Sequence, residues 1–392
     1  MSRSCLAFGP FWILVFATAL APRLTAQEAV PNVPEFKTLK EVAAYFIERG
    51  EIAGCIFHVV DRKGIVQTEV AGLATLQPRR PMTDDAIFWI ASMSKPVTAA
   101  CVLMLVDEGK LSLDDPIDRH LPEMANLALS DGSKPKITIR QLLTHTSGMR
   151  ELPRTEAYRS KTLAEASDKY ARLPLDFPPG SRWQYSQTSI NTAARIVEVV
   201  SGQSFDQFVD GRLCQPLDMK DTAFYLNDSQ MPRLASTYRK TESGLEPDTI
   251  LVLDGKLPTD RNRFPAANGG LFSTARDYGR FCHMLLNLGK WNGNSVLSEA
   301  SVRAMGTIAT GELKTGFTTG NGWGIGCCVV REPQGVTASL SQGSFGHGGA
   351  HGTQAWIDPT RGKAYILMVQ RANFPNSDNS DLRAAFQKTA AR

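Results

Sequence analysis

A serine three residues ahead of a lysine can form a nucleophile when both side chains share one helical face, because the amine can then take the hydroxyl proton. The chain carries this spacing twice. Ser133 and Lys136 lie in Asp131-Gly132-Ser133-Lys134-Pro135-Lys136, a polar turn in which the lysine is expected to be solvated and fully charged. Ser92 and Lys95 instead follow the apolar Phe88-Trp89-Ile90 and open an apolar-rich stretch that closes at Gly109. A helix starting there would present unpaired N–H groups to a developing oxyanion. Apolar surroundings would also destabilise the lysine cation, leaving an amine able to act as a base. Pro96 is tolerated in a first turn, where its missing N–H has no intrahelical partner to lose. The competing reading is a capping serine beside a lysine whose stem lies along the core, and the tetrad alone does not separate the two.

Other chemistries find no support. The chain has no phosphate-loop pattern, no dinucleotide G-x-G-x-x-G and no G-x-S-x-G elbow. No histidine is followed by glutamate, so the helical zinc-protease pattern is missing. His347 and His351 are four apart, but Gly346-His347-Gly348-Gly349-Ala350-His351-Gly352 is too rich in glycine for a helix and reads as a turn leading into a strand. No C-x-x-C pair occurs, and no disulfide is assigned to Cys55, Cys101, Cys214, Cys282, Cys327 or Cys328. Neither a metal nor an organic cofactor is expected.

The elements that must hold such a site can be sketched from periodicity. A helix is expected over 35–49, then a hairpin whose strands flank Asp61-Arg62-Lys63-Gly64, then the long helix over 92–108. Helical patches follow at 138–145, 188–200, 205–213, 274–288 and 298–305. Single strands are expected at 324–331, 353–358 and 363–370, with a last helix over 380–391. Strands at both ends suggest one sheet built from the two termini, about 35–90 and 320–390, with a helical lobe at about 91–319 inserted between them. The fold class is α/β (α+β), and a pocket is expected between the lobes.

Composition narrows the field further. With 42% hydrophobic and 21% charged residues the chain is neither disordered nor fibrous. Its net charge of +4 comes without any basic run of five, so nucleic acid is not an expected partner. Residues 1–26 read as a signal peptide: Arg3, an apolar run from Cys5 to Ala21, then Leu24-Thr25-Ala26 ahead of Gln27. The expected product is an exported protein, periplasmic or secreted, with no membrane span once the signal is removed. A retained anchor is the alternative.

Three ordered segments resemble the serine β-lactamase-like family, which includes class C β-lactamases, penicillin-binding proteins and related esterases and acyltransferases. They are FWIASMSKPVTAACVLMLVDEGKLSLDDPI, IRQLLTHTSGM (139–149) and NGGLFSTARDYGRFCHMLLNLGKW (268–291). The likeness runs from about 33 to 370 and implies that family's fold, a mainly antiparallel sheet flanked by helices with an inserted helical lobe, in a domain expected over 33–390. By this resemblance Ser92 is the nucleophile and Lys95 shares the base role with a tyrosine. The literal Tyr225-Leu226-Asn227 follows a segment similar to a different part of the family, so the tyrosine motif is placed at Tyr185-Ser186-Gln187, with glutamine where asparagine is usual. Gln187 keeps an amide but adds a methylene, which puts its contact with Lys95 in doubt. Gly346-His347-Gly348-Gly349-Ala350 is the counterpart of the third motif, making the backbone N–H groups of Ser92 and Ala350 the oxyanion hole. His347, Gly348 and Gly349 would line the substrate. Gly348 lacks the hydroxyl that helps hold a β-lactam carboxylate, and His347 is less reliably cationic than lysine. His145 and Asp114-Asp115-Pro116 are read as turn and packing features, and Trp183, Trp323 and Trp356 are given no role. The expected activity is hydrolysis of ester or amide carbonyls through an acyl-serine, with carboxylesterase favoured. A β-lactamase or D-alanyl-D-alanine peptidase acting on peptidoglycan-like substrates is the alternative, and a non-catalytic penicillin-sensing protein is the alternative of another kind.

Overall fold

The computed structural model describes residues 33–375 and 377–392. The expected signal peptide, 1–26, and the cut expected before Gln27 lie outside the described residues. Asp61 closes the first hairpin by accepting the N–H groups of Lys63 and Gly64 at 2.7 and 3.0 Å. The hairpin joins β1 (Gly54–Asp61) to β2 (Gly64–Thr75), and a short β3 (Arg80–Pro81) extends it. The C-terminal part supplies β4 (Asn321–Trp323), β5 (Cys328–Val330), β6 (Phe345–Gly348), β7 (Gln354–Asp358) and β8 (Lys363–Val369). Together they make one eight-stranded sheet in the order β4-β5-β6-β7-β8-β1-β2-β3. Neighbours run antiparallel throughout, and β1 and β8 join the two ends of the chain from Cys55↔Val369 to Asp61↔Lys363.

The central strands are apolar on both faces because helices cover both. Cys55, Phe57 and Val59 of β1, with Tyr365, Leu367 and Val369 of β8, face α1 (Leu39–Glu48) and the C-terminal helix. Ile56, Val60, Ile366 and Met368 face the opposite core. The first layer is fixed by Phe57 stacked on Phe386 at 4.8 Å. In the second, α4 (Ala275–Leu286) lies so close to the sheet that a Cβ on Gly279 would come within 2.9 Å of the His58 ring. Beyond it runs α2 (Ser94–Asp107), buried from Ser94 to Leu105 on every side, as expected for a central helix without an amphipathic stripe. α3 (Gln187–Ser201) packs on α2, and α5 (Asp381–Ala390) is the C-terminal helix.

Helix boundaries follow caps more than apolar periodicity. Thr38 caps α1 through the Glu41 N–H, and Ser380 caps α5 through Arg383, so both helices start inside the expected spans. Two expectations need correction. The stretch 324–331 is not one strand but the turn and second strand of a hairpin, because the chain reverses at Gly324 and Gly326. Gly326 sits at φ +73°, and its missing side chain lets the turn lie on α2, where a Cβ would fall 2.3 Å from that of Ala99. The glycine-rich 346–352 is likewise not all turn. Phe345–Gly348 is a sheet strand, and Gly346 is required there because a Cβ would stand 2.0 Å from the Ala355 carbonyl oxygen.

Gly326→Val places a branched side chain in a left-handed conformation against α2. The expected loss is about 3 kcal/mol of stability, seen as a lower denaturant midpoint; an unchanged midpoint would show that the turn can back away from the helix.

Candidate active site

Ser92 stands at the junction of a strand and a helix. Phe88–Trp89 pairs with Phe272–Ser273, and Ala91 then adopts φ +46°, a strained conformation for a residue with a side chain. The expected helix over 92–108 therefore begins as a 3₁₀ turn, Ala91–Met93, before α2 proper. The junction is tied down on its far side. Trp89 Nε1 donates to the Gly269 carbonyl at 2.7 Å, Ser94 Oγ accepts the Leu271 N–H at 3.1 Å, and Tyr278 donates to the Met93 carbonyl at 2.9 Å. Ser92 itself remains half-buried, open to a substrate.

One turn along, Lys95 is fully buried. Its Nζ lies 3.1 Å from Ser92 Oγ, 2.9 Å from Gln187 Oε1 and 2.6 Å from the Asn268 carbonyl oxygen. Burial lowers its pKa to about 7, while the charges of Glu151 and Asp378 pull the other way. An amine at that balance has two N–H groups and one lone pair. Gln187 Oε1 and the Asn268 carbonyl can only accept, so they take the two N–H groups and leave the lone pair for the Ser92 hydroxyl. The extra methylene of Gln187 does not break this contact. As the first residue of α3 it reaches Lys95 directly, and Asn268 Nδ2 holds the same oxygen at 2.9 Å.

Tyr185 precedes Ser186, the α3 cap, and the Ser186 N–H donates to His145 Nδ1 at 3.1 Å. His145 has φ +59°, and its ring lies 4.6 Å from that of Tyr185, in keeping with a turn and packing role. Lys95 Nζ sits 4.6 Å from the Tyr185 ring centre. Burial holds the Tyr185 hydroxyl well above its ordinary pKa, so it stays protonated. His347 explains where that proton points. Its Nδ1 lies 2.7 Å from the Gly348 carbonyl and must donate, leaving Nε2 as an acceptor 3.3 Å from the Tyr185 hydroxyl. Burial pushes His347 down to about 3, so it is a neutral ring at physiological pH and supplies no cation.

Gly349 brings the end of β6 against the nucleophile turn. A Cβ there would lie 2.7 Å from the Ile90 carbonyl oxygen and 3.4 Å from Ala91 Cβ. Ala350, exposed at the tip, follows directly. Thus Ser92, Lys95, Tyr185, Gln187 and His347 converge on one site, with Gly348 at the end of the adjoining strand and Gly349 just after it. The two rejected patterns do not join it. Ser133 bonds Asp131, Lys136 pairs with Asp118, and the Tyr225 hydroxyl donates to the Arg263 carbonyl. His351 turns away to pack edge-on against Trp89. Among the described residues the six cysteines are buried and unpaired. Among the described residues no group of histidine, cysteine or carboxylate side chains is arranged to hold a metal, and no helix is long and apolar enough to cross a membrane.

Sequence reasoning missed three contributors. Asn268 supplies both a carbonyl for Lys95 and an amide for Gln187, and the two glycines after it in an apolar stretch were the available signal. Glu151 accepts the N–H groups of Gln187 and Thr188 at the start of α3, at 2.7 and 3.3 Å. Trp323, left without a role, packs edge-on to His347 and Tyr185.

A family model described as Beta-lactamase matches residues 39–390. Protein Rv1367c of Mycobacterium tuberculosis is 34% identical over 352 residues, covering 82% of this chain and 87% of that protein. Esterase EstB of Burkholderia gladioli is 29% identical over 355 residues, covering 82% and 86%. Among solved structures, EstCE1, described as a hydrolase with promiscuous acyltransferase activity, aligns with a TM-score of 0.78 at 25% identity, covering 90% of this chain and 96% of that one.

If the Lys95 amine activates Ser92, labelling of Ser92 by a fluorophosphonate probe rises as pH climbs toward about 7 and levels off above it. Glu151→Gln removes a charge that favours the ammonium form, so the midpoint of that profile moves to lower pH. A midpoint that stays put or rises would detach Glu151 from the lysine.

Proposed function

The chain belongs to the β-lactamase family, a family of serine hydrolases with esterase, acyltransferase and peptidase members, and from that premise we propose that it is an exported carboxylesterase working through an acyl-Ser92 intermediate. The observation that carries the reading is the buried Lys95 amine 3.1 Å from Ser92 Oγ, with two carbonyl oxygens placed to accept its N–H groups, an arrangement in which a neutral amine would keep its lone pair for the serine.

As Ser92 Oγ attacks the ester carbonyl, Lys95 Nζ takes its proton. The carbonyl oxygen becomes an oxyanion held by the backbone N–H groups of Ser92 and Ala350. Tyr185, kept protonated by burial, is suited to give a proton to the departing alkoxide rather than to share the base role as a phenolate, and the Lys95 ammonium can replace that proton. Collapse expels the alcohol and leaves the acyl group on Ser92. Water, or another acceptor, then attacks the acyl carbon as Lys95 takes its proton. Collapse breaks the bond to Ser92 Oγ while that proton returns to Oγ, releasing the product and restoring the serine. A neutral His347 and a side-chain-free Gly348 support uncharged esters over β-lactams or D-alanyl peptides, whose carboxylate would look here for a cation and a hydroxyl. Residues 33–390 are taken as one two-lobed catalytic unit and 1–26 as the export signal.

Ser92→Ala is expected to abolish both turnover of a short-chain nitrophenyl ester and probe labelling, and labelling retained on that variant would sink the assignment. Lys95→Ala should cost about a thousandfold in kcat and Tyr185→Phe about a hundredfold. The wild type should favour the nitrophenyl ester over a chromogenic cephalosporin in kcat/KM; the reverse order would move the reading to β-lactamase. The mass of the mature protein recovered outside the cytoplasm should fit a chain beginning at Gln27, and an intact N-terminus would count against cleavage.

A further inference from the structure

Beside Gly348 the space that a side chain would fill is already taken. A Cβ on Gly348 would lie 1.9 Å from Asp378 Oδ1 and 2.3 Å from Gln354 Nε2. Asp378 comes from the turn before α5, and Gln354 Nε2 donates to its carboxylate at 3.2 Å. Both Gly348 and Asp378 line a small cavity, about 10 Å³ and room for little more than a water molecule, that also touches His347 and Trp323, which links it to the nucleophile site.

The cation of this cavity is Arg383. Its guanidinium is fully buried over the Trp356 ring at 4.1 Å, with Nη1 donating to the Asp378 carbonyl at 2.5 Å. The Asp378 charge helps keep it protonated. The field of Asp378 also reaches the reacting groups, where it favours the Lys95 ammonium and opposes ionisation of Tyr185. His347, the other basic side chain at this edge, is neutral. An incoming carboxylate would therefore find its place filled by a carboxylate, with the nearby guanidinium bonded to the backbone of that same residue and already under the influence of its charge.

We propose that Asp378 is a built-in carboxylate that occupies the subsite beside Gly348 and turns away acyl substrates bearing their own negative charge, leaving neutral and cationic esters. This rests on the ester-hydrolase reading and deepens it from an absence, the missing hydroxyl at Gly348, to an occupant. Asp378 is a specificity-determining residue here and takes no proton in the reaction.

The test compares three p-nitrophenyl esters of similar length: the neutral hexanoate, the anionic monoester of adipate and a cationic trimethylammonio-hexanoate. In the wild type kcat/KM for the anionic ester should fall about tenfold below that of the neutral one, with no such penalty for the cationic ester. High salt should narrow the gap by screening, a readout that needs no variant. In Asp378→Asn, which keeps the shape and an oxygen for Gln354, the anionic-to-neutral ratio should rise about tenfold. Equal wild-type rates for the anionic and neutral esters, a gap that ignores salt, or a ratio unmoved in Asp378→Asn would overturn the proposal while leaving the esterase reading intact. A wild type inert toward all three esters would overturn the esterase reading and this proposal with it.

Discussion

The site turns on burying one amine. A lysine removed from water loses much of its preference for the charged form, but an unpaired buried amine would itself be costly. The chain resolves this with two oxygens that cannot donate, Gln187 Oε1 and the Asn268 carbonyl. They satisfy the amine and also orient it. Everything around Lys95 serves that arrangement: α2 is enclosed on all sides, the segment around Asn268 is strapped to its first turn through Ser94 and Thr98, and α3 begins at the residue that must touch Nζ.

Each lobe contributes what its geometry provides. The helical part delivers Lys95 and Gln187 at helix starts, where side chains from different helices can meet. The sheet delivers β6 and, just past its end, Gly349, which lets the backbone approach the nucleophile turn where a side chain would collide. His347 links the two, bonding its own strand through Nδ1 and Tyr185 through Nε2. A histidine charged at neutral pH could not accept that hydroxyl proton, so its burial is a condition of the tyrosine's orientation.

Much of this was legible in the sequence. The Ser92–Lys95 spacing, Tyr185 ahead of a capped helix and the Gly-His-Gly-Gly-Ala run sit in local patterns with a physical meaning, and the residues they name do converge. The sheet drawn from both termini was readable from short, nearly continuous apolar runs at each end. What escaped were contributions made through space by residues with no local signature. Asn268 acts largely through its backbone, Glu151 through a helix start some distance along the chain, and Asp378 through a vacancy at Gly348 that only the folded sheet defines. The single strand expected at 324–331 failed for a related reason. Apolar content does not reveal a reversal that Gly326 makes possible by lying flat on another helix.

The pairing of β1 with β8 has a kinetic consequence. Cys55 and Val369 are partners in the middle of the sheet although roughly 300 residues separate them along the chain. The central strand pair, and the face that covers α4, cannot form until nearly all of the polypeptide has been made. Such long-range closure makes folding slow. During synthesis the N-terminal hairpin must wait with Ile56, Phe57 and Val59 unburied, so this chain stays unfolded longest at the end that is made first.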